Sequence, residues 1–308
     1  MSNQNIVPIK SNAGVQDAVA AGVGFTHKVT LTQTSTQGPA LASLDGRLYI
    51  GWKGDGNDNL NVEVSPDNGH TFGGKYTSGE RSPLAPSLAA HNKALYIAWR
   101  GDGNDNLNVA HVDLSGNTVT GFSHKVTLGD TSQSSPAIIS FKGNLYLAWR
   151  GEGNNQLNVE YSSDHGASFG HKYTSPETSA QGPELAVHNG NLYITWKGEG
   201  NDNLNVAIVE HAGASITGLG QKVTLPDTSP DSPTLASHST KLYLGWKGDG
   251  NNNLNVEYST NNGVSFGGKY TSPETSVDAP VLAAQGNILF IAWTGVGNKQ
   301  LNVAQVAV

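Results

Sequence analysis

The sequence has no cysteine, one methionine and few charges, with Asp, Glu, Lys and Arg making up 14% of its 308 residues. Without cysteine there is no disulfide framework, no thiolate nucleophile and no zinc–thiolate site. The ten histidines form no HxH or HExxH grouping, which argues against zinc held by imidazole. Basic charge is scarce as well. A net charge of -7 argues against nucleic acid or an anionic membrane as the main partner. No apolar run approaches the length that crosses a membrane. The opening MSNQNIVPIKSNAGVQ has no basic segment followed by an apolar core, so no signal peptide is expected. The chain reads as soluble, either cytoplasmic or exported without a leader, and no membrane insertion is expected.

What the chain does have is glycine, 38 residues of it, and a repeat. The stretch WKGDGNDNLNV from Trp52 returns at Trp99, Trp149, Trp196, Trp246 and, worn to WTGVGNKQLNV, at Trp293; these are all six tryptophans. Each closes an apolar run of one design, such as LYIGW or LYLAW, and successive copies start 47 or 50 residues apart. A fixed period of that size marks a stack or ring of one supersecondary unit. Within a unit the pattern gives four strands. Strand A is short and follows a proline (Pro39 to Ser43). Strand B alternates, with Leu48, Ile50 and Trp52 on one face and Tyr49, Gly51 and Lys53 on the other. Strand C runs from Leu60 to Val64. Strand D, Gly73 to Thr77, carries one lysine per unit: Lys28, Lys75, Lys125, Lys172, Lys222 and Lys269. As the outermost strand, D would use that lysine to guard its edge.

The ends of the chain complement each other. Gly24 to Leu31 matches Gly121 to Leu128 and Gly218 to Leu225, but no tryptophan hairpin precedes it; the last unit has the hairpin and lacks this segment. The expected fold is therefore all-β, a six-bladed β-propeller with four antiparallel strands per blade, closed by the N-terminal strand completing the last blade. Residues 1–22 match nothing in the repeat and read as a polar arm. Residues 23–308 are the propeller, built as three copies of a 97-residue double blade.

The double blade shows in the turns between strands C and D. Odd blades carry SPDNGHTF (Ser65 to Phe72), SSDHGASF (Ser162 to Phe169) and STNNGVSF (Ser259 to Phe266); even blades carry longer turns around SGNT and HAGAS. The pattern Ser-x-Asp-x-Gly-x-x-Phe resembles the Asp-box, or BNR repeat, of the sialidase superfamily. The resemblance implies a six-bladed propeller with that turn between strands C and D. The box itself is a hairpin element and says nothing of activity. A sialidase would further need three arginines around a substrate carboxylate and a Tyr–Glu pair. This chain has only Arg47, Arg81, Arg100 and Arg150, and IVPIK stands where a Phe/Tyr-Arg-Ile-Pro motif would be. The resemblance is thus to lectin-like members, with no catalytic residue assigned.

Candidate chemistry lies in the B–C loops. Asp55-x-Asn57-x-Asn59 has the opening oxygen spacing of a calcium loop, but Leu60 stands where glycine belongs and no carboxylate follows at the twelfth position. The Asx run is expected to hold its own turn, and neither a metal nor another cofactor is expected. Five loops repeat a cation, a carboxylate and an amide behind the tryptophan. They are Trp52, Lys53, Asp55, Asn57; Trp99, Arg100, Asp102, Asn104; Trp149, Arg150, Glu152, Asn154; Trp196, Lys197, Glu199, Asn201; and Trp246, Lys247, Asp249, Asn251. Such a set can clasp sugar hydroxyls while an aromatic face packs on C–H groups. Blade six loses the cation to Thr294 and the carboxylate to Val296. Two roles stay open for the tryptophans, sugar platform or inter-blade core, and for the charges, ligand contacts or ion pairs between blades. The expectation is a multivalent carbohydrate-binding protein whose partners are glycans. A sialidase-like hydrolase or lyase with one central site is the alternative, and a protein-interaction scaffold the third.

Overall fold

The computed structural model describes residues 24–308, so the arm assigned to residues 1–22 lies outside the described residues. There are 24 strands and no helix among them. Blade one is β2 (Ala40–Leu44), β3 (Arg47–Lys53), β4 (Asn59–Ser65) and β5 (Gly73–Arg81), following β1 (Gly24–Thr34). Blade two is β6 (Ser87–His91), β7 (Ala94–Arg100), β8 (Asn106–Ser115) and β9 (Thr118–Thr131). Blade three is β10 (Ala137–Phe141), β11 (Asn144–Arg150), β12 (Gln156–Ser162) and β13 (Gly170–Thr178). Blade four is β14 (Glu184–His188), β15 (Asn191–Lys197), β16 (Asn203–Ala212) and β17 (Ser215–Thr228). Blade five is β18 (Thr234–His238), β19 (Lys241–Lys247), β20 (Asn253–Ser259) and β21 (Gly267–Thr275). Blade six is β22 (Val281–Gln285), β23 (Ile288–Thr294), β24 (Gln300–Ala307) and then β1, which pairs antiparallel with β24 from Gly24↔Ala307 to Thr34↔Gln300. The ring closes as the mismatched ends require, and no blade leaves an open edge at the seam.

Alternation along strand B places an apolar row on both faces, and both are buried. Leu48, Ile50 and Trp52 pack with Phe290, Ala292 and Leu301 of blade six, while Tyr49 packs with Leu95, Ile97 and Trp99 of blade two. The core is thus a series of slabs between neighbouring blades. Strand D is longer than its apolar segment suggests. Opposite Asn59 and Asn61 of β4 lie Arg81 and Thr77 of β5, so strand D carries extra residues in a bulge. Asn59 Nδ2 donates to the bulge carbonyl of Ser78 at 2.6 Å, and Asn106, Asn203 and Asn253 do the same in their blades at 2.8–2.9 Å. The loop asparagine satisfies a carbonyl the ladder leaves free. Beyond the bulge strand D swings a carboxylate toward the next blade.

The LNV asparagine is a second structural lock. Asn61 lies across from Trp52 in the ladder, donates to Asn59 O and accepts from Thr77 Oγ1 at 2.7 Å. The Thr–Asn bond recurs at 2.7 Å in all six blades. The odd C–D turns hold themselves in the same economical way. Asp67 accepts from Ser65 Oγ, Thr71 N and Thr71 Oγ1 at 2.6–2.9 Å, and Gly69 turns at φ +81°. Equivalent bonds from Ser168 and Ser162 hold the Asp164 carboxyl down to about 2. Asn261 keeps the turn in blade five by accepting from Ser265 N and donating to Ser265 Oγ.

Candidate functional site

The loop residues singled out in the sequence separate in the structure. The six tryptophans are 0–1% exposed, so their ring faces are not open platforms for a sugar. One side of each indole belongs to an inter-blade slab, and the strand D lysine of the same blade covers it, with Nζ 5.0–5.4 Å from the ring. A platform role for Trp52, Trp99, Trp149, Trp196 and Trp246 gives way to a role as wall and core. The strand D lysines are correspondingly more than edge guards.

The cations after the tryptophans also point elsewhere. Lys53, Lys197 and Lys247 are 6–8% exposed. They do not pair with the carboxylate two residues on. Lys53 pairs with Asp58 at 2.7 Å and Lys197 with Asp202 at 2.8 Å, Arg100 with Asp105, and Arg150 Nε donates to Asn155 Oδ1 at 2.9 Å. That fifth residue has positive φ (57° at Asp58, 59° at Asp105), a conformation Asp and Asn tolerate well. Lys247 turns to Asp231 at 2.5 Å and to Val277 O at 3.0 Å. A buried cation of this kind ties the B–C loop to the connections between blades. The three-part clasp of cation, carboxylate and amide therefore does not assemble.

The amides do what the Asx reading requires. Asn57 Oδ1 accepts from Asn59 N at 3.1 Å, and Asn104, Asn154, Asn201 and Asn251 repeat the bond at 3.0–3.2 Å. A Cβ on Gly54 would strike Asn57 Oδ1, which explains the glycine. The middle oxygen of the Asp55-x-Asn57-x-Asn59 spacing is thus engaged in holding the turn. Among the described residues no group of three or more His, Asp or Glu is placed to hold a metal ion.

The exposed loop-tip carboxylates lie over the junctions between blades. There they meet a set that sequence reading had not joined. Lys125 pairs with Glu80 at 2.6 Å, Lys222 with Glu177 at 2.5 Å and Lys28 with Glu274 at 2.6 Å. Lys172 pairs with Asp130 and Lys269 with Asp227. Every one of these pairs crosses from one blade's strand D to the next, and the carboxylates lie in the ends of the extended D strands. The junction from blade four to blade five holds a cavity of about 240 Å³. Its walls include Asp227, Trp246, Asp249, Asn251, Lys269 and Thr271. Two loop-tip residues from the sequence set and the lysine over the tryptophan meet there.

Junctions into odd blades contain a further acid. Glu63, Glu160 and Glu257 are 3–4% exposed, where even blades have Ala110, Ala207 and Ala304. Burial, with the nearby Asp130 or Asp227 added and Lys172 or Lys269 opposing, pushes Glu160 and Glu257 up to about 7. Burial also raises Glu63, but Gln33 Nε2 donates to its Oε1 at 2.5 Å. The alternation of Glu with Ala at this position repeats every 97 residues and is a signal that the sequence carries.

A second cavity, of about 380 Å³, runs along the axis between the six innermost strands. Its lining contains Glu184 and Asp278 and no Arg, Lys, His or Tyr. Arg47 meanwhile donates to Asn117 Oδ1 across the A–B rim, and Arg81 lies 3.3 Å from Asp102.

No protein-family model matches the sequence, and no curated protein sequence does. Solved structures do match. A Hadza microbial sialidase superposes with a TM-score of 0.63 at 14% identity, over 87% of this chain and 65% of its own. Trypanosoma rangeli sialidase gives 0.63 at 14%, over 93% and 60%. The fold is the one these sialidases have. This chain spans 60–65% of their length. A protein of unknown function from Dyadobacter fermentans matches at 0.65 and 12% identity over 93% of this chain and 99% of its own.

Proposed function

We propose that the protein is a multivalent carbohydrate-binding protein, a lectin, with its sites at the junctions between blades. The observation that carries this reading is the cavity at the junction into blade five. There a carboxylate (Asp249), an amide (Asn251), an ion pair (Lys269 with Asp227) and a tryptophan edge converge on a volume suited to a sugar ring. The same residue types recur at the other junctions. They are not equally free. Asp55 is 3.4 Å from Lys299, Asp102 is held by Arg81, and Glu199 accepts from Asn155 at 2.6 Å. Glu152 and Asp249 have no such partner among the described residues, so blades three and five offer the best sites. Several weak sites on one ring would multiply affinity for a glycan-coated surface by roughly 10²–10⁴ where geometry permits.

The likeness to sialidases favours a second reading, hydrolysis at a single central site. An axial lining without arginine or tyrosine supports binding over hydrolysis. A glycan-array screen followed by calorimetry on the best ligand tests both. The expected result is more than one equivalent per chain, with one lost on Asp249→Val, the residue type that blade six carries. A single equivalent indifferent to that change would move the site to the axis and call for an assay with a fluorogenic sialoside. No binding to any glycan would sink the lectin reading and leave a protein-interaction scaffold.

A further inference from the structure

The axial cavity breaks the repeat at one place. The first residue of the innermost strand is Ala40, Ser87, Ala137, Thr234 or Val281 in five blades and Glu184 in blade four. All six of these positions except Val281 and Glu184 are small, and Glu184 alone is ionisable. It forms no ion pair among the described residues, and its carboxyl accepts only from the N–H of the next residue, Leu185. Asp278, the other acid in the lining, accepts from Gly38 N at 2.7 Å and lies near Asp231, which Lys247 neutralises. The remaining polar lining is uncharged, chiefly Gln37, Gln133, Gln181 and serines. The cavity thus has acceptors, a carboxyl free to take a partner, and no positive charge.

We propose that the axial cavity is a binding site for a small organic cation carrying a primary ammonium, with Glu184 as its counter-ion, separate from the sites at the blade junctions. At about 380 Å³ it lies within the size range of small-molecule sites. Between protein walls an ammonium and a carboxylate attract more strongly than in bulk water, and the lining offers an anion no cation. The amide oxygens of the glutamines supply the further acceptors that an ammonium's three donors require. Burial, opposed in part by the Leu185 N–H, pushes the Glu184 carboxyl up to about 8. At neutral pH it therefore holds its proton until a cation arrives. An ammonium then draws the carboxylate form, and the carboxyl proton leaves to the buffer.

The test is calorimetry of the full chain at pH 7 with 1,4-diaminobutane, and with 1,4-butanediol as its uncharged twin. The diamine should bind once per chain, and the heat should change with the ionisation enthalpy of the buffer, reporting a released proton. Glu184→Gln should weaken binding by at least about tenfold, the worth of a charge-assisted bond, and abolish the proton release. Glu184→Thr, the residue of blade five, is a second variant that the wall already accommodates. Asp249→Val should leave diamine binding unchanged. Failure of the diamine to bind, equal binding of the diol, or binding unaltered in both Glu184 variants would each overturn the proposal.

Discussion

Junctions into odd and even blades look alike along the chain and differ in chemistry. At the even junctions a long acid, Glu80 or Glu177, reaches the lysine across the gap, and an alanine, Ala110 or Ala207, lies beneath. At the odd junctions a short acid, Asp130 or Asp227, takes the lysine, and a buried glutamate, Glu160 or Glu257, occupies the space below. Side-chain volume moves from one side of the interface to the other, and a second carboxyl comes with it. The junction into blade one is a variant of the odd type, with Gln33 replacing the aspartate and bonding Glu63 directly. Lysine over tryptophan is common to all six junctions and builds the ring, while the acid pair distinguishes the two sets.

The comparison breaks most forcefully if an even junction is given the odd acid. Ala207→Glu places a carboxyl in a slab already filled by the longer Glu177. The cost should be about 3 kcal/mol or more at pH 8, the scale for an uncompensated buried charge. Adding Glu177→Asp restores the odd arrangement and should recover about 1–2 kcal/mol, a coupling expected only of residues in contact. Urea unfolding of the two single variants and the double variant measures it. Strict additivity would mean that the two positions do not share one volume.

Next in size is the pH dependence. The folded values of about 7 at Glu160 and Glu257 lie above the ordinary 4.5, so the native state binds more protons than the unfolded chain between those values. Stability from this source is full below about pH 4.5 and falls as pH rises through 7. Each group accounts for about 3 kcal/mol of loss by pH 8.5. Glu184, at about 8, acts in the same direction, and Asp164, held near 2, acts only in strong acid. Glu160→Gln with Glu257→Gln should therefore flatten the decline between pH 5 and 8.5 while leaving the share of Glu184. An unchanged slope would remove the buried glutamates from the account.

The ring was legible in the sequence because its determinants are local. Turn residues, a two-residue apolar alternation and one tryptophan per period give six blades, and the mismatched ends give the closure. Strand D fell short at Thr77 because its continuation to Arg81 depends on a bulge that Asn59 satisfies from another strand. The candidate site was less legible. Lys53, Arg100, Arg150 and Lys197 resemble surface cations by composition, yet each pairs with a residue five positions on, and Lys247 turns to Asp231 instead. The lysine–acid pairs across blades join residues 42 or 45 apart, or 246 apart at the seam, with no local signal. A signal did exist in the copies: where strand C has Glu, the preceding strand D ends in Asp or Gln, and where it has Ala, in Glu.

The smallest effect is the most specific to the comparison. Lys222→Met removes an exposed ion pair and a cation–π contact, together about 0.5–1 kcal/mol after allowing for solvent screening. An alanine, Ala207, lies beneath that pair in place of a buried glutamate, so the loss should be similar at pH 5.5 and 8.5. Lys269→Met removes the same two contacts from an odd junction, together with the one cation that opposes the rise of Glu257. At pH 5.5 Glu257 is protonated in both proteins, and the loss should match that of Lys222→Met. At pH 8.5 the buried carboxylate faces Asp227 without the ammonium, and the loss should be larger. Thermal unfolding of the two variants at the two pH values decides it. Equal losses throughout would mean that the lysine does not sense the acid beneath it, and that odd and even junctions differ in shape alone.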